Sequence, residues 1–224
     1  MQVIIVGTGK LATELLNALQ ADGPQSVFAW GHGGYGATPS IVVHAGSGRE
    51  LEHVMSFCQA TRSTLVELAT GSVLEAAQHD FPVVLCPNTN ILMLKFMSML
   101  EHSGPSLRGY RITLTESHQV QKTSTPGTAL SMAHALGLQA SDVRSVRDAH
   151  TQNAQLHIPQ EHLGRHAYHQ ITIEDTVCSI TMETRVYGAS PYADGVGKII
   201  AAVRAHTLED RRYDIGEFVD NGWV

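Results

Sequence analysis

The amino-terminal part of the chain alternates short apolar runs with longer segments whose apolar residues recur at helical spacing. The runs predict β-strands, and the segments between them predict helices. Strands that alternate with helices in this way form parallel sheets with right-handed crossover connections. The chain is therefore expected to open with an α/β domain. The predicted strands are Val3–Val6, Val27–Trp30, Ile41–His44, Leu65–Leu68 and Val83–Leu85, and the predicted helices are Leu11–Leu19, Leu51–Gln59 and a short one near Val73–Gln78.

The pattern changes after Pro87, where the spacing predicts an apolar, Met-rich helix over Ile91–Leu100. Alternating segments follow and predict antiparallel strands, and a last helical pattern covers Gly195–Ala205. No linker rich in Pro or Ser separates these parts. We therefore predict two interlocked domains, residues 1–88 with 192–224 and residues 89–191, the second of α+β type. The antiparallel strands are predicted at Tyr110–Glu116, Gln170–Asp175 and Ser179–Tyr187.

Composition and charge exclude several classes of function. The chain has 43% apolar and 16% charged residues, which is typical of a globular protein, and its formal net charge is −6. This charge argues against a basic nucleic-acid-binding surface, and the apolar runs fall short of the ~20 residues of a membrane span. Three widely spaced cysteines without a CxxC pair indicate reduced thiols. Together with the absence of a signal-peptide pattern, these features predict a cytoplasmic protein.

A glycine-rich turn joins the first strand to the first helix. The pattern is G-x-G-x-x-A, in which Gly7 allows the tight turn, Gly9 lets the backbone approach a pyrophosphate, and Ala12 allows close packing. The helix amino terminus supplies oriented N–H groups for the phosphate charge. This context predicts a Rossmann-like dinucleotide site; a plain tight turn is the alternative. The turn reads Gly7-Thr8-Gly9-Lys10-Leu11-Ala12.

The end of the second predicted strand bears on the choice of cofactor. It reads Trp30-Gly31-His32-Gly33 and lacks the carboxylate that usually holds the adenosine ribose. Without that acid a 2′-phosphate meets no repulsion, and Lys10 or His32 can approach it. The pattern favours NADPH over NADH, although the loop can also be one that holds neither cofactor specifically.

A second segment, residues 116–130, combines groups suited to proton transfer and anion binding. His118 and Lys122 lie four residues apart, and a turn at Pro126–Thr128 opens a helix predicted over Ala129–Leu136. Such a turn offers N–H groups and a hydroxyl to an anion, Lys122 adds positive charge, and a His can donate a proton near neutral pH. The alternative is a surface His beside an ordinary capped helix.

This segment resembles the signature of the 4-hydroxy-tetrahydrodipicolinate reductase family, E-x-H-H-x-x-K-x-D-x-P-S-G-T-A. The matching residues are Glu116, His118, Lys122, Pro126, Gly127, Thr128 and Ala129. The turn at Gly7 is similar to the cofactor turn of the same family, and the resemblance continues along nearly the whole chain. The further similar segments are Ala69-Thr70-Gly71 (the nicotinamide loop), Cys86-Pro87-Asn88 (the hinge), Arg165–His169 (the G-x-H segment) and Tyr192–Gly195 (the F/Y-A-x-G element).

The resemblance implies transfer of a hydride from NADPH or NADH to a cyclic, unsaturated dicarboxylate in lysine and diaminopimelate biosynthesis. It makes His118 the proton donor and Lys122 the group that binds and polarises the substrate. It also implies a homotetramer formed through the second domain, with no nucleic-acid or membrane partner. The substrate-binding residues it implies are Gln119, Gly127, Thr128 and His169, and the cofactor-binding residues are Gly7, Thr8, Gly9, Lys10, Leu11, Ala69, Thr70, Gly71, Pro87 and Asn88.

Five features depart from the family pattern. Gln119 replaces the second His, Ser124 replaces the Asp, and Ala189 lies where the family often has Arg. In addition, the Ser before Gly-Thr is missing, so that Pro126 directly precedes Gly127, and Ala12 replaces the final Gly of the cofactor turn. These departures bear on the substrate more than on the type of reaction. Two alternatives therefore stay open: an NAD(P)-dependent reductase or dehydrogenase of another small anionic imine or amino acid, and a non-catalytic nucleotide-binding paralogue.

Two further clusters are interpreted without a chemical role. His162, His166 and His169 have the spacing of metal ligands on a helix, but Gly164 interrupts that helix, so no metal site is predicted. The segment Arg144–Arg147 is expected to be a solvated, charged turn.

Overall fold

The computed structural model describes residues 1–21, 26–76, 78–187 and 192–224. The chain divides into two compact units: Met1–Leu94 with Pro191–Val224, and Lys95–Ser190. The first boundary thus lies within a helix, whereas the sequence pattern places it ahead of that helix, after residue 88. Ala189, one of the departures noted above, lies outside the described residues.

In chain order the elements are β1 (Gln2–Val6), α1 (Lys10–Ala21), β2 (Val27–Ala29), β3 (Ser40–His44), α2 (Leu51–Thr61), β4 (Thr64–Glu67), β5 (Val83–Leu85), α3 (Ile91–Ser103), β6 (Arg111–His118), α4 (Gly127–Leu136), β7 (Val143–Val146), α5 (Ala149–Ala154), β8 (His166–Glu174), β9 (Ser179–Tyr187), α6 (Tyr192–Ala205), β10 (Arg212–Asp214) and α7 (Ile215–Asp220). A 3₁₀ turn at Val73–Glu75 stands where a short helix was predicted.

The described part of the first unit forms a six-stranded sheet in the order β10-β5-β4-β3-β1-β2, with every neighbouring pair parallel. Its first five strands in the chain are those predicted from the apolar runs. The runs are continuous because both faces of the sheet are covered. Val3 and Ile5 of β1 pack with α1 and α6, whereas Ile4 and Val6 pack with α2 on the opposite face. The predicted Rossmann-like α/β fold is confirmed.

The described part of the second unit forms a four-stranded sheet in the order β7-β6-β8-β9. β8 pairs with β6 and with β9 in antiparallel fashion, as the alternating patterns predicted. β7 pairs with β6 in parallel, so its chain direction requires the crossover through α4. Helix α4 ends at Gly137, whose positive φ of 77° lets its N–H reach the last carbonyls of the helix.

The prediction of a solvated turn at Arg144–Arg147 is wrong. Val143–Val146 is a strand whose backbone pairs with the buried half of β6, and Val146 is buried against Tyr168. The arginine next to it, Arg147, is turned inward to a buried carboxylate. The sequence gives no strand signal here because the middle of β7 is polar and exposed.

Candidate active site

The glycine-rich turn lies at the point where the strand order of the first sheet reverses. The chain leaves β1 towards β2 on one side, and β3 lies on the other side, so the loops after β1 and β3 meet. Gly7 has a φ of +128°, and a Cβ there would lie 2.7 Å from the carbonyl oxygen of Ala45. Around Gly9, by contrast, a Cβ would meet no atom within 4 Å. In open α/β sheets this crevice is where ligands bind.

The other predicted cofactor residues lie along the same carboxyl edge of the sheet. The loop at Ala69–Gly71 follows β4, and Pro87 and Asn88 follow β5. Asn88 accepts a hydrogen bond from the Cys86 thiol through its backbone oxygen, at 3.2 Å. Burial raises the pKa of Cys86 to about 12, which makes this thiol a packing group and not a nucleophile. A cavity of about 400 Å³ at this edge is lined by Ala69, Glu75, Leu85, Pro87, Arg212, Asp214 and Glu217.

The acid–base group of the second unit is built on the end of β6. Glu116 and His118 lie two residues apart and therefore share a face of the strand. His118 Nδ1 lies 2.8 Å from Glu116 Oε2, and Arg147 Nη2 donates to Glu116 Oε1 at 2.7 Å. Glu116 is fully buried, whereas the His118 side chain keeps 13% of its surface exposed. The imidazole is thus anchored from inside and open on its outer side.

The environment of Glu116 keeps its carboxyl ionised. Burial alone would raise the pKa, but hydrogen bonds from His118, Arg147 and Ser145 outweigh it, so the pKa is lowered to about 2. A carboxylate accepts hydrogen bonds only, so His118 donates its Nδ1–H to Glu116. The tautomer is fixed by this bond, and Nε2 remains the atom through which His118 can exchange a proton.

The turn that carries Lys122 is attached to the same group. Arg147 Nε donates to the backbone oxygen of Lys122 at 2.8 Å, and the Lys122 N–H bonds to the Gln119 carbonyl at 2.9 Å. No carboxylate among the described residues pairs with the Lys122 ammonium. Helix α4 then begins at Gly127, with Thr128 in its first turn. Arg147 thereby links Glu116, the carboxylate that holds the predicted proton donor, to the backbone of Lys122.

The predicted substrate residue His169 lies beside His118, with ring centroids 5.8 Å apart. It is 2% exposed, and its Nδ1 bonds to the Thr184 hydroxyl at 3.0 Å. Its Nε2 has no hydrogen-bond partner among the described residues. A third imidazole, that of His166, forms a hydrogen bond between its Nε2 and the hydroxyl of Ser117, at 3.0 Å. His166 and His169 lie three residues apart on β8, and the His166 ring centroid lies 6.5 Å from that of His118.

Two residues of this group were not found from the sequence. Arg147 belongs to the segment for which the sequence predicts a turn, and Gln152 belongs to no motif. The buried Gln152 donates to the backbone oxygens of His118, at 2.8 Å, and Val146, at 3.1 Å. The contacts of Arg147 and of Gln152 with this group both depend on the parallel pairing of β6 with β7. The sequence carries no local pattern that predicts this pairing.

Acid should destabilise the chain through His169. Its pKa is lowered to about 4 because burial disfavours the cation and His118 repels it, against the opposing pull of Glu116. The unfolded chain binds a proton near the ordinary value of 6.5, so this stabilisation is complete above pH 6.5 and is lost as the pH falls towards 4. The loss is about 3 kcal/mol. In urea titrations between pH 4 and 7, His169→Gln should show a shallower fall in the free energy of unfolding; an equal fall would contradict the assignment.

Comparison with known proteins finds relatives of the kind that the motifs indicate. No family model matches the chain. A protein of Oryza sativa subsp. japonica named "Probable 4-hydroxy-tetrahydrodipicolinate reductase 1, chloroplastic" is 32% identical over 123 residues, which cover 50% of this chain and 36% of that protein. The 4-hydroxy-tetrahydrodipicolinate reductase 1 of Arabidopsis thaliana is 29% identical over 123 residues, covering 50% and 35% respectively. The chain is similar to 4-hydroxy-tetrahydrodipicolinate reductases. The resemblance stated from the motifs is confirmed.

A solved structure extends the likeness to the whole fold. The dipicolinate-bound dihydrodipicolinate reductase from Paenisporosarcina sp. TG-14 superimposes with a TM-score of 0.62 over 96% of this chain and 97% of that one, at 15% identity. The curated relatives are longer proteins, and the matched segment spans about a third of their length. The superposition therefore adds the fold to a sequence match that covers half of the chain.

Proposed function

We propose that this chain reduces 4-hydroxy-tetrahydrodipicolinate with a nicotinamide cofactor. The plant proteins that it resembles are named for the reduction of this compound. The observation that carries the proposal is the hydrogen-bonded series Arg147–Glu116–His118 beside the turn of Lys122. It gives, on one short segment, a proton donor of fixed tautomer and a cation that pairs with no carboxylate in the described part of the chain. The sequence match to reductases over half of the chain supports the same conclusion.

The chemistry of the reaction explains why both groups are needed. Hydride addition to an electron-poor carbon leaves negative charge on the conjugated system of the acceptor. Proton donation from His118 Nε2 neutralises that charge, and the Lys122 ammonium stabilises it as it develops. The buried carboxylate of Glu116 accepts the Nδ1–H of His118 and so fixes the orientation and tautomer of the ring, without itself taking the proton.

The anion-binding part of the proposed site is the start of α4. The N–H groups of Gly127 and Thr128 have no helical acceptor, because they lie in the first turn. Such a terminus binds a carboxylate, and the Gln119 side chain can donate to a second one. A small dicarboxylate is the substrate class that matches this donor set. We propose that His169 acts on the substrate through His118, whose ring it contacts.

The first unit supplies the proposed cofactor site. The turn at Gly7–Leu11 would hold the pyrophosphate, and the loops at Ala69–Gly71 and Pro87–Asn88 would face the nicotinamide half. The cofactor is NADPH or NADH. We favour NADPH, because Trp30 follows the second strand at the place where an acid would hold the ribose, and because Lys10 and His32 are exposed.

The two glycines of the turn should separate folding from cofactor binding. Gly9→Ala should change the free energy of unfolding by less than about 0.5 kcal/mol, since its Cβ meets nothing within 4 Å. Its methyl group should nevertheless weaken dinucleotide binding by about tenfold or more, because it occupies the path of the pyrophosphate. Gly7→Ala should destabilise the fold itself by about 2 kcal/mol through its clash with Ala45. Urea unfolding and fluorescence titration with the reduced dinucleotide measure both; undiminished binding by Gly9→Ala would place the cofactor elsewhere.

The decisive experiment is an absorbance assay of the oxidation of NADPH and of NADH with freshly generated substrate. Turnover with either cofactor supports the proposal. Cofactor binding without turnover of any imine would favour the non-catalytic alternative. Turnover of another small anionic imine or amino acid, but not of this substrate, would favour the second enzymatic alternative, which Gln119 and Ser124 motivate.

Assembly and location remain predictions. We propose a homotetramer, on the strength of the resemblance, and a cytoplasmic location. The matched plant proteins are named as chloroplastic. Across the described ranges, no helix is both long enough and apolar enough to cross a membrane. Light scattering of the purified chain measures the number of subunits.

A further inference from the structure

A fully buried His–Glu pair connects the carboxyl ends of two adjacent strands in the first unit. His44 ends β3, Glu67 ends β4, and the two are register partners in the parallel pairing. His44 Nδ1 lies 2.7 Å from one carboxylate oxygen of Glu67 and 3.0 Å from the other. Both side chains have no exposed surface. Neither residue belongs to a motif noted in the sequence.

The carboxylate of Glu67 also holds the loop that follows β4. Its Oε1 accepts the Ala69 N–H at 2.8 Å, and its Oε2 accepts the Ser72 hydroxyl at 2.9 Å. Between these anchors lie Thr70 and Gly71, which are exposed. One buried carboxylate thus fixes both ends of an exposed two-residue tip.

The other nitrogen of His44 faces the dinucleotide turn. A Cβ built on Gly46 would lie 2.9 Å from His44 Nε2 and 3.5 Å from the Cα of Gly7. The same point is 3.4 Å from Glu50 Oε2. Both Nε2 and Glu50 Oε2 are buried and have no hydrogen-bond partner within the described part of the chain. The imidazole therefore stands between the Gly7 turn and the loop that Glu67 anchors.

Stability alone does not account for this arrangement. Removing two polar groups from water costs free energy, and a buried ionic pair is often no more stabilising than apolar residues of similar volume. An apolar residue can occupy such a position, since the neighbouring strand β1 ends in the buried Val6. The polar pair therefore points to a role in holding the backbone around it.

The strand order indicates which part of a bound dinucleotide would contact the loop after β4. A dinucleotide bound at the reversal point has its pyrophosphate at the turn after β1 and its adenosine ribose at the end of β2. The nicotinamide half then lies over β3, β4 and β5, on the other side of β1. The tip formed by Thr70 and Gly71 follows β4 and belongs to this half.

We propose that His44 and Glu67 are positioning residues for the nicotinamide end of the cofactor. They hold the tip at Thr70 and Gly71 in the conformation that receives the nicotinamide ribose and carboxamide, and they link it to the turn that receives the pyrophosphate. The inference rests on the proposed function, because it presupposes that a nicotinamide dinucleotide binds at this edge.

The test compares a whole dinucleotide with a fragment that lacks the nicotinamide. Glu67→Gln removes the charge that holds His44, Ala69 and Ser72, and should weaken binding of NADPH by about tenfold. Binding of 2′-phospho-ADP-ribose, which carries the pyrophosphate and adenosine but no nicotinamide, should change by less than about twofold. Isothermal titration calorimetry measures both affinities, and NADH with ADP-ribose serves as the pair if the chain prefers NADH.

Ser63→Ala is the matched control. Ser63 is equally buried and accepts a hydrogen bond from the Ser40 N–H at 2.9 Å, but it precedes β4 at the opposite edge of the sheet. This variant should lose stability and keep both affinities. Ser72→Ala, which removes only one hydroxyl from Glu67, is the second test if Glu67→Gln does not fold, and about a threefold selective loss is expected.

Each result decides the inference. A selective loss of dinucleotide affinity supports it. A parallel loss for both ligands, or no loss for either, overturns it and leaves the proposed function in place. If the unmodified chain binds neither the dinucleotide nor the fragment, the proposed cofactor site fails, and the inference fails with it.

Discussion

Replacing His118 by Ala should lower kcat by about two to four orders of magnitude, the usual contribution of a general acid. The reason is specific to the atoms described: Nδ1 is committed to Glu116, so Nε2 is the atom that can deliver the proton. Binding of the dinucleotide should not change, because His118 belongs to the second unit and the proposed cofactor site to the first. Steady-state kinetics combined with a fluorescence titration of the cofactor measures both quantities.

The same assays applied to two further variants supply a control and a second test of the proposed roles. His134 lies on the exposed surface of α4, and His134→Ala should leave kcat unchanged. Lys122→Ala should both lower kcat and raise KM, because the role proposed for the Lys122 ammonium is to bind the acceptor and to polarise it. If both His118→Ala and Lys122→Ala turn over as the unmodified chain does, the roles given to them are wrong.

The sequence predicts strands reliably here where both faces of a strand are covered. The central residues of such strands are buried on both faces and are apolar, so β1 and β3 stand out as continuous runs. β10, with the sequence RYD, has no such pattern. It is a strand because its backbone pairs with β5, and only Tyr213 faces the core. Its pairing is a tertiary event that no local propensity encodes.

The site divides in the same way. His118, Lys122 and the Gly127 turn lie on one segment, so spacing and family resemblance can find them. Arg147 reaches Glu116 only because β7 pairs in parallel with β6 across an intervening helix. The His44–Glu67 pair likewise depends on the register of β3 with β4. Charged residues at strand ends look like loop residues until the strand order is known. The sequence therefore singles out Glu116 and His118 on one strand, but not Arg147 or the His44–Glu67 pair.

Gly195→Ala should unfold or severely destabilise the first unit, by more than about 3 kcal/mol. In a helix this substitution ordinarily gains up to about 1 kcal/mol, because Gly loses more backbone entropy than Ala. Here a Cβ would overlap the carbonyl oxygen of Thr89 and lie 2.8 Å from its carbon. These are backbone atoms, so no rotation of a side chain relieves the clash. The loop after β5 or helix α6 must move instead.

Helix α6 contains its own control at Gly197. A Cβ there would lie 3.8 Å from a methyl carbon of Leu19, which is an ordinary packing distance, so Gly197→Ala should be neutral or stabilising by up to about 1 kcal/mol. Urea unfolding of the two variants therefore separates helix propensity from the close approach of α6 to Thr89. Equal stability of the variants would show that the backbone contact at Gly195 does not exist in solution. The contrast would explain why the Tyr192–Gly195 element ends in glycine: at this position α6 approaches the backbone of the loop after β5 too closely for a side chain.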